Sequence, residues 1–96
     1  MLALGDTLAL SVLEVAHWMG LRVPDDVSVA GLDDLPGSDS AGLTTALVPY
    51  RSLGERAGDA LMSLLAGEAP APAPDLPTPI AIRRTTGPPP AALPPP

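Results

Sequence analysis

The distribution of proline sets the limits of what this chain can fold into. Eleven of its fourteen prolines lie from Pro70 onward. Proline lacks the amide proton that a ladder or helix needs, so it is confined to edges, first turns and irregular chain. Regular structure is therefore expected almost entirely before Pro70. The alternation of Pro and Ala from Pro70 to Pro74 reads as an extended spacer. Residues 87–96 can form neither a helix nor a central strand. They read as a disordered tail, the alternative for such a tail being a ligand for an SH3-like module.

What precedes the spacer has strand and helix punctuation. Met1 to Leu4 is a short apolar run closed by Gly5-Asp6, and it is read as a strand. Asp6 has the right chemistry for an N-cap, because a carboxylate accepts bonds from the orphan amides of a first turn. Thr7 to Met19 reads as a helix stopped by Gly20 in the C′ position. Ser11 and Glu14 mark a narrow polar stripe on it. The wide apolar arc around that stripe predicts neighbours on more than one side. After a Pro- and Asp-rich connection, Val27 to Leu32 is β-rich and suits a buried parallel strand. Strand, helix and strand in about 30 residues make one βαβ unit. Asp33 to Gly42 is a loop, and Leu43 to Val48 is a third strand.

A second helix begins at Pro49. Leu53, Ala57, Ala60, Leu61, Leu64 and Leu65 recur on one face of it for roughly four turns, up to Gly67. Gly54 and Gly58, four apart, predict close packing of this helix on a sheet. Ile80-Ala81-Ile82 is the last strand candidate. The class is α/β, with a parallel sheet and flanking helices.

Composition removes several functions. The chain has 96 residues, a net charge of -6 and no Lys. Neutralising nucleic-acid phosphates takes clustered cations, and only Arg83-Arg84 are adjacent, so direct DNA binding is not expected. Cysteine is absent, which removes disulfides and thiolate metal sites. Neither a secretory signal nor an apolar run of about 18 residues is found, so no membrane span is expected. No cofactor fingerprint is present: there is no Walker loop and no dinucleotide glycine pattern.

The candidate site lies at the ends of the strands. Ligands of open α/β sheets bind beyond the carboxyl ends of parallel strands. Asp33 and Asp34 follow one such strand directly, and Gly5-Asp6 follow another. A carboxylate there can accept bonds from sugar hydroxyls or from purine NH groups. Equally, Asp33 and Asp34 can simply open a turn. Asp6 can be a cap, a ligand contact or both. His17, the single His, is read as a surface or packing residue rather than a catalyst. Trp18 is read as packing or interface. Ser28, Ser38, Ser40, Thr44 and Thr45 lack the setting of an activated nucleophile.

The run from Gly20 to Asp34, GLRVPDDVSVAGLDD, resembles the "GLRVPEDVSVVGFDD" signature of the lactose-repressor/galactose-repressor (LacI/GalR) regulators. Asp6 with Leu8-Ala9-Leu10 is similar to that family's "NDxxAxG". Leu43-Thr44-Thr45 is similar to its "PxLTT", and Leu53-Gly54 with Ala57 to its "LGxxA". Leu76-Pro77-Thr78 and Arg83-Arg84-Thr85-Thr86 resemble its closing "LPTxLVxRxST". Leu32 stands where the family has an aromatic residue and Thr85 where it has Ser. The loop before Leu43 is short and lacks the usual Pro.

The resemblance implies a type I periplasmic-binding-protein-like fold, with residues 1–86 as the C-terminal part of its effector-binding domain. It implies a small-molecule effector, a sugar, held in a cleft between two subdomains and contacted by Asp33. Gly5 would face the cleft without a side chain, and Asp6 would be structural. It further implies a cytoplasmic homodimer, formed partly through the first helix, that is not an enzyme. Operator DNA would be reached only through a helix-turn-helix that these 96 residues lack, which makes the chain a fragment on this reading. Exposed sheet edges and apolar faces would follow. A sugar-binding transport protein of the same fold, a small hydrolase using Asp33 or Asp34, and a dimerising remnant that binds nothing remain the alternatives.

Overall fold

A computed structural model describes residues 1–92; residues 93–96 of the expected tail lie outside the described residues. The chain divides into two compact units. One is Met1–Leu47 together with the segment from Pro79, and the other is Val48–Thr78.

The first unit is built on α1 (Asp6–Trp18), β1 (Ala30–Leu32), β2 (Thr44–Ala46) and β3 (Ile80–Ala81). The sheet order is β1-β2-β3. β1 and β2 are parallel, with Gly31 opposite Thr45. β3 runs antiparallel to β2, so the sheet is mixed rather than purely parallel. The expected first strand is reduced to one parallel bridge, Leu2 to Ala30. Bonds from Ala3 N–H to Ala30 O (2.9 Å) and from Ala30 N–H to Met1 O (3.0 Å) hold it. α1 thus crosses between two parallel neighbours, which is the βαβ unit read from the sequence.

The strands are shorter than the β-rich runs suggested. Val27 to Val29 precede β1 but lie outside it. Val29 N–H instead bonds to Thr85 O at 2.8 Å, so the C-terminal segment takes the place of a strand partner. Thr85 seals that junction. Its hydroxyl donates to Val29 O (2.7 Å) and accepts from Thr44 N–H (2.9 Å), both buried. Thr44 Oγ1 in turn accepts from Arg83 N–H (2.8 Å) and is hydrogen-bonded to the Thr86 hydroxyl (2.7 Å). Thr85→Val, nearly isosteric, strands an amide and a carbonyl in the interior and is expected to cost about 1–3 kcal/mol. Thr85→Ser keeps both bonds and should fall within about 1 kcal/mol of the parent. Urea unfolding of the pair measures the difference.

The core is small. Ala3, Ala9, Val29 and Leu43 form its centre, with Leu10, Val12, Leu13 and Val23 packed around them. Burying a Val or Leu contributes about 1.5–3 kcal/mol, so two such residues and two alanines do not go far. Among the described residues, five polar side chains are as buried as the five apolar ones: Asp6, Ser38, Thr44, Thr45 and Thr85. Hydrogen bonding therefore carries an unusual share of the order of this unit. α1 buries Asp6, Ala9 and Ala16, while Leu8, Val15, Trp18 and Met19 stay exposed.

The second unit holds α2 (Tyr50–Leu65), which starts after Pro49 as its position predicts and is followed by Gly67 at φ 76°. No residue of α2 is buried. Leu53, Leu61, Leu64 and Leu65, the periodic apolar residues, are all exposed. Within this unit nothing lies within 4 Å of where a Cβ on Gly54 or Gly58 would stand. Instead the extended segment Pro70–Pro74 lies along another face, beside Arg56, Asp59, Ala60 and Ser63. Arg56 anchors it by donating to Pro74 O.

Candidate functional site

The site is assembled around a carboxylate that no ligand needs to touch. Asp6 is fully buried, at 0 % exposure. Sequence placed it as the cap of α1, but Gly5 occupies the cap position and makes no side-chain cap bond. Asp6 is the first helical residue, and its side chain turns inward. Oδ1 accepts from Thr45 Oγ1 (2.6 Å) on β2. Oδ2 accepts from Ser38 Oγ (2.5 Å) and from Leu35 N–H (2.9 Å) in the loop after β1. Burial by itself pushes this carboxyl up. The bonds from Ser38, Thr45 and the amides of Leu35 and Asp34 together outweigh burial and hold it below its ordinary value. Asp6 therefore stays ionised at neutral pH and pins three elements to one point.

Gly31 makes the point reachable. A Cβ there would lie 2.3 Å from Asp6 Oδ1 and 3.2 Å from both Ala9 Cβ and Leu43 Cδ2. Only glycine lets α1 lie this close to the sheet.

The acidic turn follows β1 immediately. Asp33 N–H bonds to Ala46 O at 3.0 Å, extending the β1–β2 ladder by one rung. Beyond that rung the backbone bends sharply: Asp33 has φ 116° and Asp34 φ 60°. Two successive residues with a Cβ in this region cost on the order of 1–3 kcal/mol each, and such conformations persist only where neighbours over-determine them. The bonds from Leu35 and Asp34 to the Asp6 carboxylate supply part of that restraint. The rest comes from Arg83, whose Nη1 bonds to Asp34 Oδ1 (3.0 Å) and to Leu43 O (3.0 Å).

The four sequence candidates therefore sit in different settings. Asp33 is half-buried at the carboxyl end of β1. Gly5 is beside it: a Cβ on Gly5 would meet Asp33 Oδ2 at 3.7 Å. Gly5 has φ 171°, an extended conformation open to any residue, so its missing side chain is no requirement of the backbone. Asp34 is exposed and paired with Arg83. Asp6 is beneath them, wholly occupied by protein donors. Neighbouring Asp39 lies 3.7 Å from Arg83 Nε. Carboxylates outnumber cations here, which favours hydroxyl or amine donors and disfavours phosphate. His17 lies eleven residues along α1 from Asp6, roughly 16 Å away along the axis. It cannot serve as a base at this turn. Ser38 and Thr45, weighed as nucleophiles, spend their hydroxyl protons on Asp6.

Sequence reasoning passed over Arg83, Ser38 and Thr45 as parts of this site. Arg83 lay in a quoted motif, but nothing local tied it to Asp34.

The strand–helix–strand arrangement with this turn at the sheet's carboxyl edge matches a known domain. The periplasmic binding protein-like domain model matches residues 1–86. The chain belongs to that family. This periplasmic binding protein-like chain is 38% identical over 65 residues to the HTH-type transcriptional regulator GntR of Pseudomonas aeruginosa, across 66% of the chain and 19% of that protein. The lac repressor dimer bound to operator and the anti-inducer ONPF has a TM-score of 0.77 at 36% identity, over 90% of the chain and 31% of that one. A LacI family transcriptional regulator from Arthrobacter sp. FB24, in complex with lactose, has a TM-score of 0.71 at 32% identity, over 90% and 34%. The relatives are thus transcription regulators rather than enzymes. The periplasmic binding protein-like chain spans less than a fifth of the curated relative and about a third of the solved ones. No helix among the described residues is long and apolar enough to cross a membrane.

Proposed function

We propose that this chain is the effector-sensing part of a LacI-type transcription regulator, and that its effector is a sugar or a similar polyhydroxyl compound. One observation carries the reading: Asp33 stands half-buried at the carboxyl end of a parallel strand, with Gly5 of the neighbouring βα turn beside its Oδ2. Two βα turns that converge on one carboxylate form the usual ligand position of an open α/β sheet. The acceptor-rich surroundings suit hydroxyl donors, and a related regulator is in complex with lactose.

The mechanism is a population shift. The effector favours one arrangement of the sensing domain, and that bias passes through the dimer to DNA-binding parts outside these 96 residues. The reading places the regulator in the cytoplasm, where its operator is. The exposed apolar residues Leu8 and Val15 of α1, with Met19 just after it and Met1, are the homodimer contact. Val15→Glu is expected to shift the sedimentation coefficient to that of a monomer, with helix content unchanged.

Titration calorimetry with lactose and a set of mono- and disaccharides tests the sensing role. Asp33→Gly is the decisive variant, because glycine takes φ 116° without strain and only the carboxylate is lost. Binding should weaken at least tenfold while the unfolding midpoint holds or rises. Equal affinity of parent and variant for a bound sugar, or turnover of the sugar, would refute the assignment.

A further inference from the structure

Arg83 is 49 residues from Asp34 in sequence and meets it at 3.0 Å. Its guanidinium reaches the acidic turn from the C-terminal segment, and the same nitrogen holds Leu43 O just before β2. Its side chain is largely covered, at 19% exposure, against 36% for Asp34. The Arg83 amide is itself fixed by Thr44 Oγ1 (2.8 Å), so the cation projects from a backbone already stitched to the sheet. A planar guanidinium with two acceptors fixes direction as well as charge, which a lysine ammonium does not.

We propose that Arg83 is a positioning residue for the effector: it locks the strained Asp33–Asp34 turn by holding Asp34, and so sets where the Asp33 carboxylate stands. Asp34 on this view anchors the clamp and does not itself touch ligand. The turn needs such a clamp. Both of its residues have positive φ without being glycine, and a relaxed backbone would swing Asp33 away from Gly5. The inference rests on the sensing role proposed above for Asp33, and one arm of its test is independent of any ligand.

The experiment compares the full chain with Arg83→Gln, Arg83→Lys, Asp34→Asn and the double variant Arg83→Gln/Asp34→Asn. Amide hydrogen exchange reads the turn at Asp33, whose N–H is bonded to Ala46 O, and at Leu35, bonded to Asp6. Both amides should exchange at least tenfold faster in Arg83→Gln and Asp34→Asn. The double variant should be no worse than either single one, and Arg83→Lys should fall between. Amides in the middle of α1 should keep their protection, which separates a local clamp from general destabilisation. The affinity for whichever saccharide the parent binds should fall by a similar factor. Unchanged exchange at Asp33 in Arg83→Gln overturns the clamp, as does additivity of the two substitutions. Faster exchange with undiminished saccharide affinity overturns the positioning role. If the parent binds no saccharide, the sensing role fails, and the exchange arm still decides whether the clamp exists.

Discussion

Asp6→Ala is expected to remove about 3–5 kcal/mol of stability, most of what a domain of this size possesses. The substitution leaves Ser38 Oγ, Thr45 Oγ1 and the Leu35 amide without their acceptor. Hydrogen bonds to a charged acceptor contribute roughly 1.5–3 kcal/mol each, and stranded buried donors add a further desolvation cost. The hydroxyls can rotate toward other acceptors, which is why the loss falls short of the full sum. Asp6→Asn retains one carbonyl oxygen and should lose roughly half as much. Urea unfolding followed by circular dichroism measures both.

The same carboxylate makes stability depend on acid. Its folded pKa lies below the ordinary carboxylate value of about 3.9. A group with a depressed folded pKa stabilises fully above the unfolded value, and that stability is lost as pH falls through the folded one. The urea midpoint should therefore hold above about pH 4 and decline below it. In Asp6→Asn this part of the decline should be missing.

The second large effect is expected at Gly31. Gly31→Ala puts a methyl group 2.3 Å from Asp6 Oδ1. That oxygen is not the loose end of a flexible chain, because four donors fix the carboxylate. Relief requires α1 to back away from the sheet or Asp6 to give up its bonds. Overpacking alone costs about 1–3 kcal/mol, and disturbing the Asp6 bonds should bring the total near that of Asp6→Ala. The two substitutions share one cause, so they cannot be additive. Asp6→Ala/Gly31→Ala should be clearly more stable than the sum of the single losses predicts, since alanine at position 6 vacates the space the new methyl needs. Additive losses would show that the close approach of Gly31 to Asp6 is not what limits the site.

How far the sequence reveals this arrangement differs from element to element. The order of helices and strands was legible, because Gly20, Pro49 and Gly67 punctuate it chemically. The strand lengths were not. Val27 to Val29 have β-forming side chains, yet the partner that satisfies Val29 is Thr85, supplied from 56 residues away in place of a ladder. The break between the two units left no mark in the pattern. The apolar periodicity of α2 is real, but periodicity states only that a face is apolar, and Leu61, Leu64 and Leu65 remain exposed.

At the site, Asp33 and Gly5 could be placed together because both end strands that pair with one sheet. Asp6 was recognised as important for an inadequate reason: its position suggested a cap, whereas its donors Ser38 and Thr45 lie 32 and 39 residues away. Arg83 presented the same difficulty at longer range. A sequence shows which groups are able to bond; only the fold shows which ones meet.

The most direct test of the central assignment is a heteronuclear chemical-shift titration of the uniformly labelled chain with lactose and a small saccharide panel. Binding at the acidic turn should move the amide resonances of Gly5, Asp33 and Asp34 in a saturable way, with those of α2 and Pro70–Pro74's neighbours unmoved. Shifts confined to α2, or none at the turn for a saccharide that calorimetry shows to bind, would contradict it.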